Sequence, residues 1–308
     1  KDFLQNPARY ERLGAELPEP TDPAGLHRQC HDRRALHAHV PGRADQPEAR
    51  GIGGEQVRRL HVTAAQRGHR VELFEAGPTI GGQFSIAARI PGKEEFAETL
   101  RYFMTRLDEL KVDVRLSTRA DAETLDGYDH VVLATGVTPR RPAIEGIDHA
   151  KVVMYDELLR GEKVAGERVA VVGAGGIGFD VSEYLLHEPH ENLKHWMERW
   201  GVTESENVPG NIVEKVTEKP RRQVYLVQRK ETKIGAGLGK TSGWVHRAAI
   251  KAKGVHQIIG AAYERIDDEG LHITVDGKPR TLAVDNVVVC TGQESVRDLV
   301  EPLQAKGV

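Results

Sequence analysis

An α/β fold with two parallel-sheet units, one inserted in the other, is what three observations predict. A short apolar strand, Val169–Val172, runs straight into Gly173-Ala174-Gly175-Gly176-Ile177-Gly178, and Ile177, Val181, Tyr184 and Leu185 follow at helical spacing. A second strand, Val71-Glu72-Leu73-Phe74-Glu75, follows a helix end and ends in an acid. Two segments also match in kind. Tyr128–Gly136 and Val284–Gly292 each run from an aspartate through an apolar strand to Thr-Gly, at Thr135-Gly136 and Thr291-Gly292.

Strand, glycine turn and helix are the context in which G-x-G-x-x-G signals a dinucleotide. Gly173 allows the tight turn, and Gly175 lets the backbone approach a pyrophosphate. Gly178 lets helix and strand pack closely, while the helix start around Gly176 and Ile177 offers free N–H groups to phosphate. The unit is therefore Rossmann-like, and the repeated Thr-Gly ends make two such units.

Composition narrows the partners. A formal charge of −3 over 308 residues gives no global attraction to nucleic acid or an anionic membrane. No run of about 18 apolar residues marks a membrane span. Cys30 and Cys290 are the two cysteines. They exclude a disulfide framework and a four-thiolate iron–sulfur cluster, and they fit a reducing cytoplasm.

Residues 1–61 lack helical or strand periodicity. His27, Cys30, His31, His37 and His39 lie close together, but their spacing matches no standard zinc site. Val62–Arg67 reads as the end of a helix capped by Gly68. Helix, glycine, strand and terminal acid close the first βαβ unit of a dinucleotide domain, with Glu75 on ribose hydroxyls. Its glycine turn belongs about 20 residues upstream, where Gly51-Ile52-Gly53-Gly54-Glu55-Gln56 has no apolar strand before it. One account is that residues 1 to about 61 are out of frame. The codons for Gly54 to Arg59, read from the third base of the Gly54 codon, can encode Gly-Ala-Gly-Pro-Ala.

Beyond Glu75, Ile80-Gly81-Gly82-Gln83-Phe84 places paired glycines where backbone can lie against a ligand. An amphipathic helix is expected over 94–111, strands over 112–116 and 128–136, and an extended linker over 139–146. Val152–Arg160 reads as a short connection. The helix that follows Gly178 ends near His187. A long polar insertion, 188–222, then delays the next strand, Val224–Val227. That strand ends in Gln228-Arg229-Lys230, where an acid would grip a 2′-hydroxyl. Arg229 and Lys230 favour a 2′-phosphate, so the ligand is read as NADP(H). Gly235–Thr241 mimics a P-loop one residue short of the required spacing. A helix is expected over 244–253, strands over 255–262 and 271–275, and a hairpin turn at Asp276-Gly277.

These features resemble the flavin disulfide-reductase type of two-dinucleotide fold, with the NADP domain inserted in the FAD domain. More narrowly they are similar to the C-terminal half of bacterial NADPH-dependent 2,4-dienoyl-CoA reductases, over residues 62–308. The most specific parts are Ile80–Phe84, Ile90–Phe96, Val172–Asp180, Gln228–Lys230 and Gly237–Arg247. The resemblance implies that NADPH gives a hydride to FAD, for reduction of unsaturated acyl-CoA in β-oxidation. An FMN barrel and a 4Fe–4S cluster belong to the full-length family enzyme, and neither has residues in this chain. Carried over, Glu75 binds the FAD ribose, Gly82 and Gln83 contact FAD with backbone near Ala120, and Arg229 and Lys230 bind the 2′-phosphate. The Thr135-Gly136 and Thr291-Gly292 ends are the remaining cofactor-binding candidates. No catalytic acid, base or metal ligand is assigned. The expected division is 62–149 with 285–308 for an incomplete FAD domain, and 150–284 for the NADP domain. The family's final Gly-Asp segment would lie beyond Val308. Two other readings stand beside this one: a non-catalytic NADP(H)-binding fragment without flavin, and a related FMN/FAD iron–sulfur oxidoreductase.

Overall fold

The computed structural model describes residues 53–187, 192–216 and 220–307. The histidine and cysteine cluster at 27–39 and most of the segment read as out of frame lie outside the described residues.

α1 (Gly53–Gln66) ends at Gly68, whose φ of +87° is the left-handed stop expected there. The helix begins nine residues before Val62, so Gly53 to Gln56 are helical and form no glycine turn. β1 (Glu72–Phe74), α2 (Gln83–Ala87), α3 (Phe96–Glu109) and β2 (Asp113–Arg115) follow. β1 and β2 form a parallel two-stranded sheet. Its core is small: Val62, Leu73, Ile80, Phe103 and Leu107 are buried together.

The strand expected over 128–136 is not formed. Apart from a single bridge at His130, residues 131–136 carry no strand, and β3 (Val137–Pro139) begins just after Gly136. A parallel strand needs a neighbour to satisfy its ladder. The described residues supply no strand between β1 and this segment.

The inner unit is more complete. β4 (Val152–Met154), α4 (Tyr155–Arg160), β5 (Arg168–Val172), α5 (Gly176–Leu185), α6 (Leu193–Trp200), β6 (Gln223–Val227), α7 (Gly243–Ala252) and β7 (His256–Ile258) come next. The antiparallel meander β8 (Ala262–Asp267), β9 (Gly270–Val275) and β10 (Lys278–Leu282) leads to β11 (Asn286–Val289). β12 (Gln293–Ser295) and α8 (Val300–Ala305) close the described chain. The parallel sheet runs β4-β11-β5-β6-β7.

Alternation explains why the central strands read as continuous apolar runs. Val169, Val171, Val224, Leu226 and Val288 face the helices α4, α5 and α7, with Leu158, Val181, Leu185 and Ile250. Ala170, Val172, Val227, Val287 and Val289 face the meander, with Ile266, Leu271, Ile273 and Leu282. Both faces are covered, so the positions after the first residue of each of these strands are apolar.

Three further expectations change, and one domain boundary is proposed. Val152–Met154 is an edge strand in register with Val287–Val289, not a mere connection. The run 255–262 is split between β7 and β8, which belong to different sheets. The polar insertion holds α6, capped by Asn192 Oδ1 at 2.9 Å from His195 N and stopped by Gly201 at φ +69°. Finally, β11 pairs on both sides within the inner sheet, so we propose that the inner unit runs to about Cys290 rather than 284.

Candidate nucleotide-binding site

The glycine turn lies where β5 meets α5. Gly173 N donates to Val227 O at 2.9 Å, which ties the turn to the end of β6. At its φ of +107°, an added Cβ would stand 2.4 Å from Cys290 O. At Gly178 an added Cβ would stand 1.9 Å from Gly173 O. The fold itself therefore demands these two glycines. Gly175 and Gly176 differ, because an added Cβ meets no protein atom within 4 Å at either. Gly175 also has an ordinary φ of −82°. Nothing in the chain requires a glycine there, and the space left open lies at the start of α5. That is the cradle a pyrophosphate needs, beside the unsatisfied N–H groups of the first turn. Ile177, partly buried, packs on the core below.

Arg229 and Lys230 leave β6 beside this turn. Their backbone is pinned: Gln228 N donates to Ile258 O at 2.9 Å, Ala261 N donates to Gln228 O at 3.0 Å, and Gly260 N donates to Lys230 O at 3.1 Å. Both side chains are exposed, and neither has an ion-pair partner among the described residues. The residues present fit NADP(H).

The outer unit brings its own candidates to the end of β1. Glu75 Oε1 accepts from Gly77 N at 2.7 Å, and Glu75 O accepts from Thr118 N at 2.9 Å. The second bond carries the loop that holds Ala120 to the acid. Gly82, at φ +49°, opens α2 with free space over its Cα. Gln83 Oε1 accepts from Tyr155 Oη at 3.0 Å and from Gln293 Nε2 at 3.3 Å, and Gln293 Nε2 also donates to Tyr155 Oη at 2.7 Å. For FAD, the described residues therefore hold the Glu75 and Gly81-Gly82-Gln83 parts but no glycine turn.

The two Thr-Gly ends are joined in a pseudo-symmetric way. β3 and β12 pair antiparallel, so each Thr-Gly leads into one strand of a shared ribbon. Thr135 Oγ1 donates to Val296 O at 2.6 Å, and Thr291 Oγ1 donates to Arg140 O at 3.1 Å. Gly136 O and Gly292 O accept from Val296 N and Arg140 N at 3.0 and 2.9 Å. Both hydroxyl protons are thus committed to the ribbon, which leaves the hydroxyl oxygens as acceptors only.

Sequence reasoning missed three groups. Lys93 and Asp180 form an ion pair, although each lies in a stretch that carries the family resemblance. Tyr155, 2% exposed, links the two units through Gln83 and Gln293. Glu72, 6% exposed, is satisfied by Tyr128 Oη at 2.7 Å and Arg115 at 2.9 Å. An acid on an inward strand position was the available signal. Burial, helped by the nearby Asp180 carboxylate, pushes the Cys290 thiol well above its ordinary range. It is therefore a packed apolar group and not a thiolate nucleophile.

Among the described residues, no helix is long and apolar enough to cross a membrane. Comparison with known proteins finds oxidoreductases of several kinds. It is 28% identical over 265 residues to a metal reductase of Desulforamulus reducens, covering 83% of this chain and 38% of that protein. It is 30% identical over 243 residues to a bilirubin reductase of Mediterraneibacter gnavus, covering 76% of this chain and 37% of that protein. A 2-naphthoyl-CoA reductase in complex with 2-naphthoyl-CoA superposes with a TM-score of 0.66 at 25% identity, over 82% of this chain and 34% of that chain. The chain thus spans well under half the length of these relatives. Residues 51–308 match the pyridine nucleotide-disulphide oxidoreductase family, and with the paired Thr-Gly ends and the glycine turn in place, the chain belongs to that family.

Proposed function

We propose that this chain is the electron-input part of an NADPH-dependent flavin oxidoreductase of the 2,4-dienoyl-CoA reductase type. The observation that carries the reading is the pair Arg229 and Lys230, exposed and unpaired among the described residues, at the end of β6 beside the glycine turn. A 2′-phosphate supplies the charge they lack, and a 2′-hydroxyl does not. Likeness to a reductase of an aromatic acyl-CoA supports the acyl-CoA class. FAD, when bound, would supply the hydride-accepting ring. The chain's task is placement: Gly173–Gly178 and Arg229-Lys230 hold the nucleotide, and Glu75 with Gly82 and Gln83 holds the flavin side. Substrate reduction, the FMN barrel and the 4Fe–4S cluster belong to the rest of the longer enzyme. We place the chain's action in the cytoplasm, on the sparse cysteines.

A second reading is favoured by one observation. Val131–Ala134 forms no strand beside β1, so the flavin half has no complete sheet among the described residues. On that reading the chain binds NADP(H) without holding flavin. Calorimetric titration of the purified chain with NADPH and NADH, together with its visible spectrum, separates the readings. Tighter binding of NADPH and a flavin spectrum support the electron-input role. A colourless protein that still prefers NADPH supports the binding-only role. Equal binding of NADH overturns the 2′-phosphate assignment.

A further inference from the structure

The Gly235-Ala236-Gly237-Leu238-Gly239-Lys240-Thr241 loop has no task in the reading above, yet the structure seats it against the nucleotide helix. Because Gly173 N is bonded to Val227 O, the chain leaving β6 starts beside the glycine turn. It returns to α5 at Ile234, which is 1% exposed, and at Gly235, where an added Cβ would stand 2.7 Å from the Phe179 ring. Phe179 lies one turn into the helix that the glycine turn opens. The far end is held as well. Arg247 Nη1 donates to Gly235 O at 3.0 Å, Gly243 N donates to Gly239 O at 2.7 Å, and Leu238 packs on the same core. Between these clamps Ala236, Gly237, Gly239, Lys240 and Thr241 are exposed, and an added Cβ on Gly237 meets nothing within 4 Å.

The charge of this segment is unusual for the chain. Residues 228–242 carry Arg229, Lys230, Lys233 and Lys240 against the single acid Glu231, in a protein whose net charge is −3. None of the four cations is ion-paired among the described residues, and all four are exposed. Cations gathered without counter-charge repel one another, and an anion between them reverses the sign. Arg229 and Lys230, next to the strand, answer to the 2′-phosphate. Lys240 is ten residues further on, just before α7, and is free to meet a second anionic group.

We propose that Gly235–Thr241 forms the second wall of the pyrophosphate pocket, with Lys240 paired to the pyrophosphate for which Gly175 and Gly176 leave room. This rests on the NADP(H) reading of the site. The glycines serve close approach of the loop backbone, and the clamps at Gly235 and Gly239 limit the ordering that binding costs.

Titration of the full chain and its Lys240→Gln, Lys240→Arg, Arg229→Gln and Gly175→Val variants with NADPH and with NADH tests this. The pyrophosphate is common to both nucleotides. Lys240→Gln should therefore weaken both about ten-fold, the scale of one charge-assisted contact, and Lys240→Arg should restore most of the loss. Arg229→Gln should weaken NADPH alone. Unchanged NADH affinity in Lys240→Gln overturns the proposal. If NADPH binding is then still abolished by Gly175→Val, the dinucleotide site itself stands. If the unmodified chain binds neither nucleotide, the underlying reading falls first.

Discussion

Lys93 Nζ lies 2.7 Å from each carboxylate oxygen of Asp180. The lysine belongs to the loop between α2 and α3, and the aspartate to the second turn of α5. One contact therefore ties the flavin-side unit to the nucleotide helix. Both side chains are mostly buried, at 29% and 21% exposed, so solvent screens the pair less than a surface one. Removing one partner leaves the other charge half-buried. Asp180→Asn or Lys93→Met should cost about 1–3 kcal/mol, read as a fall of a few degrees in Tm. The double variant should lose less than the sum of the singles. Strict additivity in that cycle would show that the pair carries no coupling.

The four glycines of the turn should divide into two classes. Gly178→Ala drives a Cβ to 1.9 Å from Gly173 O, and Gly173→Ala meets Cys290 O at 2.4 Å. Gly173 O cannot move without opening the join of β5 and α5, nor Cys290 O without disturbing the end of β11 beside β5. Each variant should lose about 3 kcal/mol or more, or fail to fold. Gly175→Ala meets nothing and keeps an allowed φ. It should unfold within about 0.5 kcal/mol of the parent in denaturant melts, while NADPH affinity falls. Equal effects on stability at Gly175 and Gly178 would remove the argument that Gly175 is kept for a ligand.

Alkali should loosen the outer unit through Tyr128. Burial first, then its hydrogen bond to the Glu72 carboxylate, raises the phenol to about 12. A phenol whose folded value lies above its unfolded value of about 10 favours folding below that pH. The contribution is lost progressively as pH rises from 10 through 12. Melting curves across that range, with phenolate absorbance followed in parallel, should show Tm falling. In Tyr128→Phe that part of the fall should disappear, at the cost of lower stability near neutrality because Glu72 loses a donor.

The inner unit was legible because its local and global signals agree. Val169–Val172 has no polar position, and the structure covers both of its faces. Gly173–Gly178 and Arg229-Lys230 sit at the ends of neighbouring strands, as their order implied. Other features depended on contacts that spacing does not carry. Val152–Met154 is a strand because Val287–Val289 lies beside it, more than a hundred residues on. α6 was hidden in a polar stretch because none of its residues is buried. The repeat of Thr-Gly ends was visible, but the exchange of bonds between Thr135 and Val296 and between Thr291 and Arg140 needs the ribbon that brings the two copies together. Glu72 read as part of an apolar strand, and only Tyr128 and Arg115 explain how a carboxylate is tolerated there.

The internal repeat also predicts what the coding DNA should contain. In the inner sheet β5 lies between β11 and β6, and β6 pairs onward with β7. In the outer unit β1 and β2 repeat the parallel pair β6 and β7, and Val131–Ala134 repeats β11 with its Thr-Gly end. The counterpart of β5, with its glycine turn, is missing from the described residues. Among the described residues Val131–Ala134 thus has no neighbour to satisfy a parallel ladder, and it forms no strand although its apolar run is like that of β11. The alternative frame from the third base of the Gly54 codon should read Gly-Ala-Gly-Pro-Ala, with an apolar strand of about five residues encoded before it. Sequencing that segment decides the matter, since a frame without Gly-Ala-Gly-Pro there ends the idea. A chain expressed in the alternative frame should retain more flavin, read in its visible spectrum, and have a higher Tm, because a strand between β1 and Val131–Ala134 completes the sheet that Glu75 ends. A chain in that frame with no more flavin and no higher Tm would overturn the idea that this strand completes the sheet.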